Sequence, residues 1–97
     1  MGDIAKRQVG RTGVAVTEMG FGGAPLGELF ERVGEAEAQA TLQAAWDAGV
    51  RYFDTAPFYG YGKSEHRIGR FLREQPRGEF ALSTKVVRVL RATRDLD

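Results

Sequence analysis

Short apolar runs alternate with stretches of helical apolar spacing along most of this chain. Runs rich in branched or aromatic residues predict strands at 18–23, 50–54 and 80–86. Between them, apolar residues recur every three to four positions, which predicts helices at 35–48 and 64–73. The order strand–helix–strand–helix–strand is typical of right-handed βαβ units on a parallel sheet. The pattern therefore predicts an α/β fold.

Both predicted helices carry an apolar face and signals for where they begin and end. The faces consist of Ala38, Leu42, Ala45 and Trp46 in the first helix and of Ile68, Phe71 and Leu72 in the second. Gly49 is predicted to cap the end of the first helix, and Pro76 to stop the second. Ser64 is predicted to be the N-cap of the second helix.

Two further segments complete the predicted order of elements. Residues 4–17 predict a small hairpin, because turn residues at 10–13 separate two short segments with alternating polarity. Residues 24–33 contain Pro25 and Gly27 and predict a loop.

Length and composition favour part or all of one soluble domain. The chain has 97 residues, of which 42% are hydrophobic and 28% charged, and its net charge is +1. That balance predicts neither nucleic-acid nor membrane partners, and the arginines at 88, 91 and 94 are interpreted as a solvated face. The chain contains no cysteine, no apolar run long enough for a bilayer and no signal-peptide pattern at its start. We expect a cytoplasmic protein.

The segment 60–64, GYGKS, resembles the tail of a phosphate-binding loop and opens a predicted helix. The head of that motif requires glycine where this chain has Pro57, which offers no N–H and has a fixed φ. Tyr59 and Tyr61 would also crowd a loop that has to wrap closely around phosphates. A nucleotide phosphate site is therefore disfavoured here.

Three polar side chains are better candidates for chemistry: Asp54, Tyr59 and Lys85. Asp54 and Lys85 end two neighbouring predicted strands, and Tyr59 lies in the loop after the first of them. Taken singly, each has a structural explanation, as a loop cap, a core-edge aromatic and a solvated strand end. Taken together, they fall where parallel α/β sheets place their functional groups. Lys85 also needs a counter-charge, for which Asp54 is the nearest candidate.

An acid, a phenol and an amine in contact would form an acid–base site. An isolated phenol titrates near pH 10, and an ammonium held against it favours the phenolate. Such a tyrosine can donate a proton to a carbonyl oxygen as hydride arrives, or remove one from an alcohol as hydride leaves. No side chain supplies hydride, so this interpretation implies a nicotinamide cofactor.

The same residues give the chain a resemblance to the aldo-keto reductases. The combination consists of D-T-A-x-x-Y-G at 54–60, G-x-S-E at 62–65 and S-T-K at 83–85. The stretches GFGGAPLG at 20–27 and AAWDAG at 44–49 are similar to the branch of that family that contains sugar dehydrogenases and a pyridoxal dehydrogenase.

The resemblance implies a (β/α)8 TIM barrel with a hairpin at its bottom, and NAD or NADP bound across its top. By matching motif, Tyr59 would be the general acid/base, Lys85 the lysine that tunes it, and Asp54 the aspartate of the catalytic set. Gly22, Gly23 and Ala24 would lie beside the nicotinamide, and Asp54 would touch its ribose. The implied substrate is a small carbonyl compound or sugar.

A complete barrel takes roughly 250 residues, so we expect residues 1–97 to be the N-terminal part of a single barrel domain. The family's catalytic histidine follows a later strand, and His66 is expected to be an exposed helix residue instead. The isolated chain is expected to lack reductase activity, and its uncovered sheet edges could associate with a second copy. The alternative to an enzyme is a cofactor-sensing or inert module.

Overall fold

The structure, a computed structural model, describes residues 3–28 and 31–86, which form a small hairpin and an open parallel sheet. Strands β1 (Lys6–Gln8) and β2 (Ala15–Thr17) pair antiparallel. Strands β3 (Phe21–Gly22), β4 (Tyr52–Asp54) and β5 (Ala81–Ser83) are parallel and lie in the order β3–β4–β5. The predicted α/β order is confirmed, and within the described residues the sheet does not close into a barrel.

The helices connect these strands in the predicted order. Helix α1 (Glu35–Asp47) links β3 to β4, and helix α2 (Lys63–Leu72) links β4 to β5. Two short 3-10 helices, Ala24–Gly27 and Arg77–Glu79, precede α1 and β5. Among the helices of the described ranges, none is both long and apolar enough to cross a bilayer.

Several predicted boundaries are wrong, each for a physical reason. The strand predicted at 18–23 is shorter because the Glu18 N–H donates to Ala5 O at 2.8 Å and so extends the hairpin instead. The loop predicted at 24–33 begins with the first 3-10 helix. The strand predicted at 80–86 ends at Ser83, which leaves Lys85 two residues beyond it. The predicted arginine face at 88–94 lies outside the described residues.

Ser64 is not the N-cap that the sequence predicts. Helix α2 begins one residue earlier, after Gly62, whose φ of +99° lies in the left-handed region that glycine tolerates. Ser64 is buried in the first turn, where its hydroxyl bonds to the hydroxyl of Thr55 at 2.7 Å. Its side chain therefore ties α2 to the loop after β4.

The core lies between the sheet and the two helices. Phe53 of β4 is fully buried, and its ring stacks on Trp46 of α1 at 6.3 Å. The other buried members are Leu26, Ala38, Leu42, Val50, Ile68, Phe71 and Leu72, which include most of the predicted apolar faces. Side chains alternate along a strand. Tyr52 and Asp54, on either side of Phe53 in β4, are therefore directed to the opposite face of the sheet.

Candidate active site

Asp54, Tyr59 and Lys85 meet at the carboxyl end of the parallel sheet. Asp54 is the last residue of β4 and lies directly opposite Ser83, the last residue of β5. The Thr55 N–H donates to Ser83 O at 2.9 Å, which carries the strand pairing one step further. Because of this pairing, the residues that follow β5 lie beside the loop that follows β4. The sequence predicts this proximity for Asp54 and Lys85.

The ammonium of Lys85 lies between the other two groups. Its Nζ is 3.4 Å from Asp54 Oδ2, 3.4 Å from the Tyr59 hydroxyl oxygen and 3.1 Å from Thr55 O. An ammonium has three donors and no acceptor, so these three oxygens use its hydrogen-bonding capacity completely. The lysine is therefore held against the phenol, although both longer distances are at the weak end of the hydrogen-bond range.

The protonation of Lys85 follows from these neighbours. Desolvation acts to lower the pKa of Lys85, but the hydrogen bonds to Tyr59 and Asp54 and the negative charge of Asp54 outweigh it and raise that pKa. The side chains of Lys85 and Asp54 are 45% and 38% exposed, so water screens the pair. Lys85 is consequently a cation at neutral pH and faces the oxygen of Tyr59 as one.

Contacts that the sequence analysis did not identify fix the other oxygen of Asp54. The Ser83 hydroxyl donates to Asp54 Oδ1 at 2.6 Å, and the Tyr52 hydroxyl lies 3.0 Å from Ser83 Oγ. The sequence does contain a signal for this contact, because the pairing of β4 with β5 puts Tyr52, Asp54 and Ser83 on the same face of the sheet.

The backbone of the Tyr59 loop is positioned by a close approach of two glycines. Gly60, at φ +68°, and Gly27, which ends the first 3-10 helix, pack backbone against backbone. A Cβ on Gly27 would lie 2.6 Å from Tyr59 O and 2.7 Å from Gly60 N, where no side chain fits. The Tyr59 carbonyl also accepts from Ser64 N at 3.2 Å, so the loop is held from both sides.

The predicted cofactor residues at the end of β3 have different surroundings. Gly22 pairs with Asp54 and is exposed, and a Cβ placed on it would meet no atom within 4 Å from the described residues other than its chain neighbours. Gly23 is buried: its N–H donates to Asp54 O at 2.8 Å, and a Cβ on it would lie 2.6 Å from Ser64 Oγ. Ala24 is half-buried and begins the first 3-10 helix. Their contact with a cofactor stays a prediction.

Two other sequence candidates do not join this site. His66 is exposed on α2, as the sequence predicts. In the segment that resembles a phosphate loop, Lys63 pairs with Glu28 at 2.8 Å and Ser64 bonds to Thr55. The side chains that would bind phosphate are thus engaged elsewhere, which supports the rejection of that interpretation.

A buried arginine organises the loop between β3 and α1, and the sequence analysis missed it. Arg67 of α2 donates to Leu26 O at 2.9 Å, to Val33 O at 2.8 Å and to Glu35 Oε1 at 3.1 Å. Its side chain is only 8% exposed and lies 3.7 Å from Glu28 Oε2. The arginine thereby fixes both ends of the loop that presents Gly27 to Tyr59.

Known proteins share this combination of sequence and fold. Residues 18–96 match the model of the aldo/keto reductase family. The chain is 54% identical over 85 residues to the pyridoxal 4-dehydrogenase of Microbacterium luteolum, covering 88% of this chain and 25% of that protein. It is 54% identical over 79 residues to the D-threo-aldose 1-dehydrogenase of a Pseudomonas species, covering 81% of this chain and 24% of that protein.

Solved structures agree with the sequence comparison. The holo form of an aldo-keto reductase from Bacillus halodurans superposes with a TM-score of 0.75 at 34% identity, covering 86% of this chain and 26% of that one. This chain spans about a quarter of the length of these relatives. The sequence match over residues 18–96 and the shared fold establish that the chain belongs to the aldo/keto reductase family.

Proposed function

We propose that this chain carries the proton-transfer part of the active site of an NAD- or NADP-dependent oxidoreductase. The reaction would interconvert a carbonyl compound, that is an aldehyde, ketone or aldose, with an alcohol or lactone. The single observation that supports this proposal is the position of the Lys85 ammonium, 3.4 Å from both the Asp54 carboxylate and the Tyr59 hydroxyl.

In this proposal each side chain has one role. Tyr59 donates a proton to the substrate oxygen in the reductive direction and accepts it in the oxidative direction. The Lys85 ammonium stabilises the phenolate that forms when the proton leaves Tyr59. The Asp54 carboxylate holds Lys85 in place, and the raised pKa keeps the lysine charged at working pH.

The residues at the end of β3 fit a bound nicotinamide nucleotide, which would supply or accept the hydride. Among the described residues other than its chain neighbours, none has an atom within 4 Å of a Cβ placed on Gly22, which supports open space beside Asp54. A flat ring could therefore approach the backbone at Gly22, with Ala24 two residues further along, while Asp54 has lone pairs free to accept from a ribose hydroxyl. Gly23, which is buried, would act by allowing α2 to pack closely.

We further propose that residues 1–97 are the N-terminal part of one TIM-barrel domain, the bottom hairpin and about three β/α units. The chain spans about a quarter of its relatives, and the edge of β5 leaves Leu82 46% exposed. Later strands would cover that edge, whereas a chain acting alone could self-associate there. The substrate would be a small carbonyl compound or sugar, as the names of both dehydrogenase relatives suggest. A cytoplasmic location stays a prediction.

The test compares two phenols of the same loop in the complete polypeptide. Tyr59→Phe should lower kcat by about 10²–10⁴-fold, the usual contribution of a positioned general acid, and leave NADPH affinity unchanged. Tyr61→Phe is the matched control, because Tyr61 is 75% exposed and should retain full turnover. Undiminished turnover of Tyr59→Phe would reject the proposed role.

A chimera separates this chain's contribution from that of any downstream sequence. In it, the matching segment of this chain replaces the corresponding quarter of the Pseudomonas D-threo-aldose 1-dehydrogenase. We expect a folded chimera that oxidises its aldose and loses that activity with Tyr59→Phe. The isolated chain should oxidise no NADPH, because the remaining strands of the barrel are absent from it. A folded but inactive chimera would count against the proposal.

A further inference from the structure

A chain of hydrogen bonds runs across the sheet into the carboxylate of Asp54. A carboxylate only accepts hydrogen bonds, so the single hydroxyl proton of Ser83 points to Asp54 Oδ1, 2.6 Å away. Ser83 Oγ must then accept the proton of the Tyr52 hydroxyl, at 3.0 Å. The direction of every bond in this series, Tyr52 to Ser83 to Asp54, is fixed by the acceptor at its end.

The two oxygens of Asp54 are held unequally. The bond from Ser83, at 2.6 Å, has the length of a strong charge-assisted O–H···O bond. The contact with the Lys85 ammonium, at 3.4 Å, is long and partly exposed to water. Ser83 therefore determines the orientation of the carboxylate, and Lys85 meets an oxygen that is already in place.

We propose that Ser83 is a positioning residue that orients the Asp54 carboxylate toward Lys85, and that Tyr52 supports it by fixing the direction of the Ser83 hydroxyl. This inference rests on the proposed function of Asp54, Tyr59 and Lys85. Without the hydroxyl, Asp54 can rotate away from Lys85, and the ammonium loses the anion that holds it against Tyr59.

The first test removes the hydroxyl of Ser83 in the complete polypeptide. Ser83→Ala should lower kcat about tenfold, the lower end of what removing an orienting partner costs at metal sites. Ser83→Thr keeps a hydroxyl and a strand-compatible side chain, so it should restore turnover. Thr84→Ala is the matched control, since the neighbouring hydroxyl donates to the Glu65 carboxylate, outside the site, and kcat should not change.

A second measurement does not depend on activity. Because Asp54 contributes to the raised pKa of Lys85, the amine should titrate at a lower pH in Ser83→Ala than in the wild type. NMR of isotope-labelled but chemically unmodified lysine side chains measures this titration, with Thr84→Ala again as control. If Ser83 had only a structural role in β5, its substitution would leave the titration of Lys85 unchanged.

A double-mutant cycle tests whether the groups act in series. Tyr52→Phe alone should lower kcat only about twofold, because Ser83 can still donate to Asp54 without it. Tyr52→Phe added to Ser83→Ala should cost nothing further, since the bond through which Tyr52 acts is already gone. Additive losses would show two independent effects and overturn the series.

The outcomes separate this inference from the proposed function. If Tyr59→Phe is inactive but Ser83→Ala retains wild-type kcat or leaves the titration of Lys85 unmoved, the positioning role is wrong and the acid–base assignment stands. If Tyr59→Phe remains active, the proposed function is wrong, even where Ser83→Ala shifts the lysine. A lowered kcat, a shifted titration and recovery of both in Ser83→Thr support the inference.

Discussion

Arg67 lies at the centre of the contacts that hold the loop before α1, and its removal should be costly. We consider Arg67→Met, which keeps much of the aliphatic stem but deletes every donor of the guanidinium. In the wild type these donors reach the carbonyl oxygens of Leu26 and Val33 and the carboxylate of Glu35. Among the described residues no buried side-chain polar atom lacks a partner, and this substitution would leave backbone acceptors without theirs.

The expected loss in free energy of unfolding follows from how deeply each partner of Arg67 is buried. A buried acceptor that loses its donor costs about 1–3 kcal/mol; Leu26 is buried and Val33 is half-buried. The ion pair with Glu35 adds at most about 1 kcal/mol, because the glutamate side chain is 44% exposed. We therefore expect Arg67→Met to lower the free energy of unfolding by about 3 kcal/mol.

Urea unfolding of the complete polypeptide measures this loss, compared at constant m-value. Arg67→Lys retains the charge but not the planar fork that reaches two carbonyls, so its loss should be intermediate. Arg70→Met is the control: Arg70 is on the same helix and pairs with the same glutamate, but it is 60% exposed. Arg70→Met should change the free energy of unfolding by no more than about 0.5 kcal/mol. Equal losses in Arg67→Met and Arg70→Met would refute the reasoning.

Two further predictions concern the same loop. Gly27→Ala would force Tyr59 away from its position, and since a displacement of about 1 Å can cost about 10²-fold in rate, kcat should fall strongly. Gly34→Ala should leave kcat unchanged, because a Cβ there meets none of the described residues beyond its chain neighbours within 4 Å. Equal rates in both variants would contradict the argument. The pKa of Glu28 is lowered by the hydrogen bond from Lys63 and then by that from the Val33 N–H. Its contribution to stability is therefore present above the ordinary value of 4.5 and lost as the pH falls through the folded-state pKa. Glu28→Gln should be less stable than the wild type at about pH 6 and differ less at about pH 3; an equal difference at both would contradict the assignment.

Local sequence signals predicted much of the fold. Apolar spacing identified both helices, and their faces do supply core residues such as Leu42 and Ile68. The proximity of Asp54 and Lys85 was predicted from two neighbouring parallel strands that end at the same edge of the sheet. It holds although β5 ends at Ser83, two residues before Lys85. The structure confirms this proximity, whereas the catalytic roles stay predictions.

Contacts between distant segments were beyond the reach of local patterns. Arg67 occupies an ordinary polar position on an amphipathic helix, and its role depends on the positions of the Leu26 and Val33 carbonyls, which the helix pattern does not reveal. Ser64 has the chemistry of an N-cap, but the left-handed geometry of Gly62 starts the helix earlier and turns Ser64 inward to Thr55. The role of Arg67 is set by partners that are distant in sequence, and that of Ser64 by the backbone dihedral angles of Gly62. Local patterns show neither.

The candidate site consists of two parts that are positioned by different means. The strand pairing of β4 with β5 positions the carboxylate of Asp54, and through it the ammonium of Lys85. The phenol of Tyr59 comes from a loop, whose position depends on the contact with Gly27. Changes at the sheet should therefore alter the charge that faces the phenol, and changes at the loop should alter its distance from that charge. Both kinds of change should lower the pKa of Lys85, because its hydrogen bonds to Tyr59 and to Asp54 both raise that pKa. The titration of Lys85 therefore reports whether the sheet and the loop are both in position.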